Sequence, residues 1–296
     1  MNSKVLPSEQ ARKGFNGIQG KQLGSPAEEL NQANVSGAVE VLLEVFSNID
    51  PYSASLGRRL CHAAEILMKS AGILFTWELK VAALLAEVGV LTIPIRVLIE
   101  SQSGQEITEP EKKIISSVAE RGAELLKRIP ALAGVTEIIR YQNKNYDGSG
   151  SPENSVAGEN IPHGARILKV LSHLFGLKEN GYAHDLAIEE MKSKPGWYDE
   201  GLLQRAQQSL KESPSLTISG NRTALGLKEL RPGQLLVANV LSDDENILIP
   251  EGQILSPKTL HKLRNFAFTA GVKEPIQIID LLESPLELPI VTAVSG

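Results

Sequence analysis

From Ser36 the apolar positions repeat with a helical period. Val39, Leu42, Leu43 and Phe46 fall at i, i+3, i+4 and i+7, one buried stripe of a helix over 36–50. Residues 1–35 show no sustained period and are rich in Gly, Ser, Gln, Asn and Lys, so a mostly disordered arm is expected there, with a short helix near Ala27–Gln32. Further helices are predicted over 56–72, closed by Gly72, and over 76–89, opened by Thr76 as N-cap. Pro94 begins a short segment, IPIRVLIES. A longer helix is predicted over 108–129: Thr108 caps it, Pro110 sits in its first turn, Glu109 and Glu111 favour its N-terminal dipole, and Pro130 stops it. Helices follow over 132–145, 163–177 and 198–212, with the turn-forming stretch 147–160 read as a loop.

After Pro214 the pattern changes. The runs 234–242 and 246–252, separated by Asp243-Asp244-Glu245, predict a β-hairpin. A helix over 256–271 follows, with Ser256 as N-cap, Pro257 at its first position and Gly271 closing it; 275–282 reads as a last strand. The chain is therefore expected to be mainly α: a helical domain over 36–213, a linker over 214–223, a small α/β module over 224–282, and a tail to residue 296.

Composition narrows this without redirecting it. A length of 296 residues suits about two domains. The apolar share of 42% and charged share of 22% are those of a globular protein, and a net charge of −5 speaks against a general nucleic-acid binder. Cys61, alone, can form neither an intramolecular disulfide nor a cysteine-based zinc cluster, and reads as a small buried apolar residue. The N-terminus lacks the apolar core of a signal peptide, and no run approaches a membrane span, so a cytoplasmic protein is expected.

Several stretches then stand out in order: DPYSASLGRRL, AALLAEVGVLTIP, ITEPEKK, AERGAELL, IIRYQNKNYDGSGSP, GENIPHGARILKV and WYDEGLLQRA. Together, over roughly 36–212, they resemble the HD-GYP family, a branch of the HD phosphohydrolase superfamily that hydrolyses cyclic di-GMP. The resemblance implies an HD-domain helical bundle. It also implies imidazole and carboxylate ligands for a di-metal centre, because phosphodiester hydrolysis needs a water ionised near neutral pH and an electrophile on the phosphoryl oxygens. The family's first histidine falls on Leu56, its His-Asp pair on Ala86-Glu87, and the lysine after that pair on Val90. Its next histidine falls on Val118, its paired histidines on Gln142-Asn143, its late aspartate on Ser172, and the tyrosine of its G-Y-P on Ser151. Only Glu87 remains a carboxylate, so neither a metal nor another cofactor is expected, and the site reads as degenerate. None of the five histidines, His62, His163, His173, His184 and His261, occupies a ligand position.

What stays matched is architectural. Gly148, Gly150 and Pro152 shape a turn, Gly122 and Gly164 permit close helix approach, and Ala165-Arg166-Ile167 starts the following helix. Asp147 and Arg166 read chiefly as loop-fixing groups; retained ligand binding through Asp147, Gly148, Ser149, Gly150 and Arg166 is the alternative. The stretch 228–278 resembles the small domain that ends many HD-type bacterial response regulators, without the receiver domain that usually accompanies it. The favoured reading is a non-catalytic regulatory module of two-component or cyclic di-GMP signalling, derived from a phosphodiesterase and working through protein contacts. A diguanylate cyclase domain is a natural partner, since the family is known to contact such domains; no nucleic acid or membrane is expected as one. A sensor that binds cyclic di-GMP without cleaving it, and a residual hydrolase, are the alternatives.

Overall fold

The computed structural model describes residues 26–103, 105–211 and 221–283. Ten helices build the first part: α1 Pro26–Ile49, α2 Pro51–Ser70, α3 Trp77–Leu84, α4 Ile95–Ser103, α5 Glu109–Ser116, α6 Val118–Leu126, α7 Ala133–Tyr141, α8 His163–Glu179, α9 His184–Lys192 and α10 Glu200–Ser209. The second part holds β1 Arg222–Leu225, β2 Gln234–Leu236, β3 Val240–Leu241, β4 Ile247–Ile249, α11 Pro257–Thr269 and β5 Ile276–Asp280. A mainly helical bundle followed by a small α/β module is the architecture the apolar pattern leads one to expect.

Local chemistry explains most boundaries. Asp50 accepts from the Ser53 amide at 3.2 Å and opens α2, with Pro51 at a position that lacks an amide to satisfy. Thr76 accepts from the Leu79 amide, and Thr108 with Glu111 forms a capping box. Gly72 closes α2 with φ +66°, a conformation glycine adopts without a steric penalty.

Four departures from the apolar pattern are informative. α1 is continuous from Pro26, so the boundary expected at residue 35 falls inside a helix; residues 1–25 lie outside the described residues, as do most of the expected linker and tail. The helix expected over 76–89 ends at Leu84 and gives way to a 3-10 turn, Val88–Thr92. The helix expected over 108–129 breaks at Ser117, whose amide is shared between Lys113 O and Ile114 O while its hydroxyl bonds Ile114 O. In the module, β3 and β4 pair as the expected hairpin and β2 bonds the residues that follow it, 252–255, but β2 also joins β5, giving an antiparallel sheet of order β1-β5-β2.

Packing holds the bundle. α2 lies against α3 and α8, α3 against α7, α6 against α7 and the 3-10 turn, and α10 against α2 and α8. Phe46, Leu60, Leu67, Leu85, Ile139, Ile167 and Phe175 are among the buried residues of its one large apolar cluster. Each fully buried side chain of this kind contributes about 2 kcal/mol, whereas exposed pairs such as Lys112–Glu109 add under about 1 kcal/mol. Apolar burial therefore decides the stability.

The two parts meet across α2. Tyr52 packs against Leu235, Ile254, Ile279 and Leu281 of the module, Leu282 packs against the bundle, and Gln253 donates to Lys178 O at 3.3 Å. Gly233 (φ +95°) leaves room for Pro51 O, which a Cβ there would approach to 2.6 Å. A similar close approach joins the 3-10 turn to α6: a Cβ on Gly89 would overlap Val118 O and come within 2.8 Å of Gly122 N.

Backbone, not a flexible side chain, blocks that space. Gly89→Ala is expected to cost about 3 kcal/mol, read as a lower urea midpoint with an unchanged slope, as overpacking does. A cost below about 0.5 kcal/mol would contradict the tight contact between these segments.

Candidate functional site

The 3-10 turn after α3, the start of α6, the end of α7 and the middle of α8 carry the positions where the sequence resemblance implies metal ligands. α3 stops at Leu84, and the carbonyl of Ala86 lies inside the bundle without a helical partner. The Gln142 side-chain amide, itself buried at the end of α7, donates to that carbonyl at 2.7 Å. The structure thus brings positions 86 and 142 together through a neutral hydrogen bond. Ala86, Val90 and Val118 are buried in the main apolar cluster, and Leu56 packs against it. Asn143 is exposed and Ser172 half-buried.

Glu87 keeps the one carboxylate. Burial, with the nearby Asp50 charge as the smaller cause, raises it from the ordinary 4.5 to about 7. A di-metal site needs several converging anionic or imidazole donors. Among the described residues, no three His, Cys, Asp or Glu side chains come together in that way. The donor set does not fit a metal centre.

The loop residues have structural occupations. Asp147 Oδ1 accepts from the Ser149 amide at 2.8 Å and from its hydroxyl at 2.7 Å, bonds that hold the carboxyl below its ordinary range. Gly148 (φ +91°) and Gly150 (φ +80°) complete the turn, and Asn145 N donates to Ser149 O at 2.9 Å. Lys144 is buried, its amino group donating to Pro152 O at 2.7 Å and Asn154 O at 3.0 Å. Arg166 bonds Asp199 at 2.5 Å and Ile161 O at 3.2 Å. Asp199 also accepts from the Leu202 amide, so this pair ties the start of α8 to the start of α10. Of the candidate ligand-binding residues, Asp147, Ser149 and Arg166 are thus engaged with the protein itself.

The sequence reading missed a group beside them. Lys169 and Ser172 lie three residues apart on one face of α8, and Lys169 Nζ reaches Asn143 O at 3.3 Å. Lys169 and Lys194 stand 5.5 and 5.1 Å from the ring centre of Trp197. His173 shares a hydrogen bond with the Tyr198 hydroxyl, which accounts for its side chain without a metal. Burial, then the charges of Lys194 and Lys169, holds the His173 imidazole below its ordinary pKa. These residues are scattered over 169–198 and form no local motif; only the Trp197-Tyr198 pair marks the place.

With the geometry in place, comparison with known proteins identifies the fold. The family model described as HD domain matches residues 40–202, more than half of the chain. No curated protein matches. Among solved structures, the chain is similar to a cyclic GMP-AMP specific phosphodiesterase of V. cholerae at 18% identity and TM-score 0.44, over 61% of this chain and 51% of that one. It is similar to an HDG"Y"P protein from Bdellovibrio bacteriovorus at 16% identity and TM-score 0.46, over 62% of this chain and 61% of that one. The HD domain of the L. monocytogenes phosphodiesterase PgpH is similar at 12% identity and TM-score 0.45, over 58% of this chain and 96% of that one. The chain thus spans only half to three fifths of the first two proteins.

The raised Glu87 pKa carries a stability cost with a defined direction. Below pH 4.5 the carboxyl is neutral whether the chain is folded or unfolded, and there is no cost. From 4.5 to about 7 the unfolded chain releases the proton while the folded one retains it, so stability falls as pH rises. Above about 7 the full penalty persists. Glu87→Gln should leave stability unchanged at pH 4 and raise it by about 2 kcal/mol at pH 8, allowing for the side chain's partial exposure. Urea unfolding of both proteins at the two pH values checks this; an equal effect at both would refute it.

Proposed function

This chain belongs to the HD domain family, and from that premise we propose that it is a non-catalytic member that regulates through protein contacts. In this reading it descends from an HD-GYP cyclic di-GMP phosphodiesterase and serves bacterial second-messenger or two-component signalling in the cytoplasm. Its module over 224–282 is then a counterpart of the one that closes HD-type response regulators. A diguanylate cyclase domain is the proposed kind of partner.

The observation that carries the reading is the composition of the bundle centre. Ala86, Val90 and Val118 belong to the continuous apolar core, and Gln142 spends its amide on the Ala86 carbonyl. Hydrolysis of a phosphodiester at neutral pH requires strong polarisation of the phosphoryl group and an activated water. Glu87, proton-bound up to about pH 7, supplies neither alone.

One observation favours a second reading, a sensor that holds cyclic di-GMP without cleaving it. The ammonium groups of Lys169 and Lys194, the latter also paired with Glu190, lie over the Trp197 ring, and a base that took their place on the ring would stack there near neutralising charge.

Metal analysis of the purified protein, combined with a cyclic di-GMP turnover assay, tests the first reading. The expected outcome is no stoichiometric Fe or Mn and no turnover above a protein-free blank; stoichiometric metal with turnover would overturn it. Calorimetry with cyclic di-GMP separates the second. Micromolar binding that Trp197→Ala weakens about tenfold, the size of a lost stacking contact, would place sensing ahead of pure protein contact.

A further inference from the structure

A cleft of about 530 Å³ opens between the bundle and the module, lined by none of the positions where metal ligands are implied. Its module wall is one face of α11, where Lys258, Lys262 and Phe266 recur every four residues and so project on the same side. Thr259 joins them from the adjacent position. Across the cleft stand Tyr52 at the start of α2, Gln102 on α4, and Glu179 with Asn180 at the end of α8. The volume is that of a small-molecule site, and a junction between two folded parts is where such sites concentrate.

The charges in this cleft are unbalanced. Neither Lys258 nor Lys262 forms an ion pair or hydrogen bond among the described residues. Glu179, the one acid among the described residues lining the cleft, accepts from Tyr52 at 2.8 Å through one oxygen; its other oxygen stands 3.9 Å from buried Arg59 and has no hydrogen-bond partner. On α11 the cleft presents two exposed ammonium groups one helical turn apart. Next to them the wall turns apolar, through Phe266 and the Leu248–Pro250 hairpin segment, with the side-chain carbonyls of Gln102 and Gln253 beside it; their amide nitrogens already donate to Asp50 and to Lys178 O. A cation-lined end merging into an aromatic and amide-lined end has the polarity of a molecule with a phosphate at one end and a hydrogen-bonding ring at the other.

We propose that this cleft binds an organic phosphate of mononucleotide size, its phosphate on Lys258 and Lys262 and its ring against Phe266. Bound there, the ligand touches α4 and α8 of the bundle and α11 of the module at once, and fixes the module on the bundle. The inference is independent of the reading of the bundle centre, since none of these residues lies at the positions where metal ligands are implied.

Isothermal titration of the full chain with GMP, AMP, ATP and inorganic phosphate tests it. At least one nucleotide should bind with a Kd below about 1 mM, and more tightly than inorganic phosphate. The exposed double variant Lys258→Glu/Lys262→Glu should weaken that binding at least about tenfold, and Asn180→Trp, which fills the cleft from the bundle side, should do the same. Thermal melts of both variants within a few degrees of wild type confirm intact folds. The proposal fails if no nucleotide gives heat at about 1 mM. It fails equally if inorganic phosphate binds as tightly as the nucleotides, or if both folded variants bind like wild type.

Discussion

A helix that stops inside a bundle leaves carbonyl oxygens that water cannot reach. α3 does so at Leu84, and each unanswered group of this kind costs on the order of 1–3 kcal/mol. Here the Gln142 amide answers the Ala86 carbonyl, and short 3-10 bonds such as Val88 N to Leu85 O answer others. The remaining architecture follows from that early stop. The 3-10 turn it creates presses Gly89 against the backbone of α6, which only a glycine allows. It also sets Val90 into the core and leaves Glu87 as the one ionisable group retained among the positions where ligands are implied. A neutral amide on a carbonyl can close such a centre; a set of histidines and aspartates would have needed an ion to do so.

Much of the fold was legible because its determinants are local. Thr76, Ser256 and the pair Thr108–Glu111 announce helix starts that the structure places at those residues, and Gly72 and Gly271 announce ends. The breaks were not legible. Nothing in the apolar period of 108–129 reveals that Ser117 interrupts it; the break lets Val118 begin a new helix against Gly89, a contact distant in sequence. The pairing of β2 with β5 is a similar case. Leucine and valine runs report burial, whereas a partner some forty residues on is chosen by the sheet as a whole. α9 was missed because its stripe of Ala187, Ile188 and Met191 is too short to rise above the polar residues around it.

The candidate site divides along the same line. Asp147 was readable as a turn residue, since an aspartate two residues before a serine amide in a glycine-rich run has an obvious local acceptor role. The partner of Arg166 was not readable, because Asp199 lies on another helix. The group around Trp197 draws on α8, the segment after α9 and the loop after α7, so no window of sequence contains it. The residues at the expected ligand positions are read one by one from the sequence, but contacts such as that of Gln142 with Ala86 O emerge only when distant segments meet.

Apolar residues at the positions where ligands are implied need not weaken such a bundle. Buried ionisable groups carry a large desolvation cost, and replacing them with apolar residues of similar volume is often neutral or stabilising, whereas a lone charge left behind is destabilising. Leu56, Ala86, Val90 and Val118 against Glu87 show both halves of that rule: the former join the core, and the latter is pushed towards its neutral form. Polar groups from separate elements converge elsewhere, at Trp197 with its two lysines and along the cleft-facing side of α11. Both places lie outside the packed centre, so their contacts can change without disturbing the core that holds the helices.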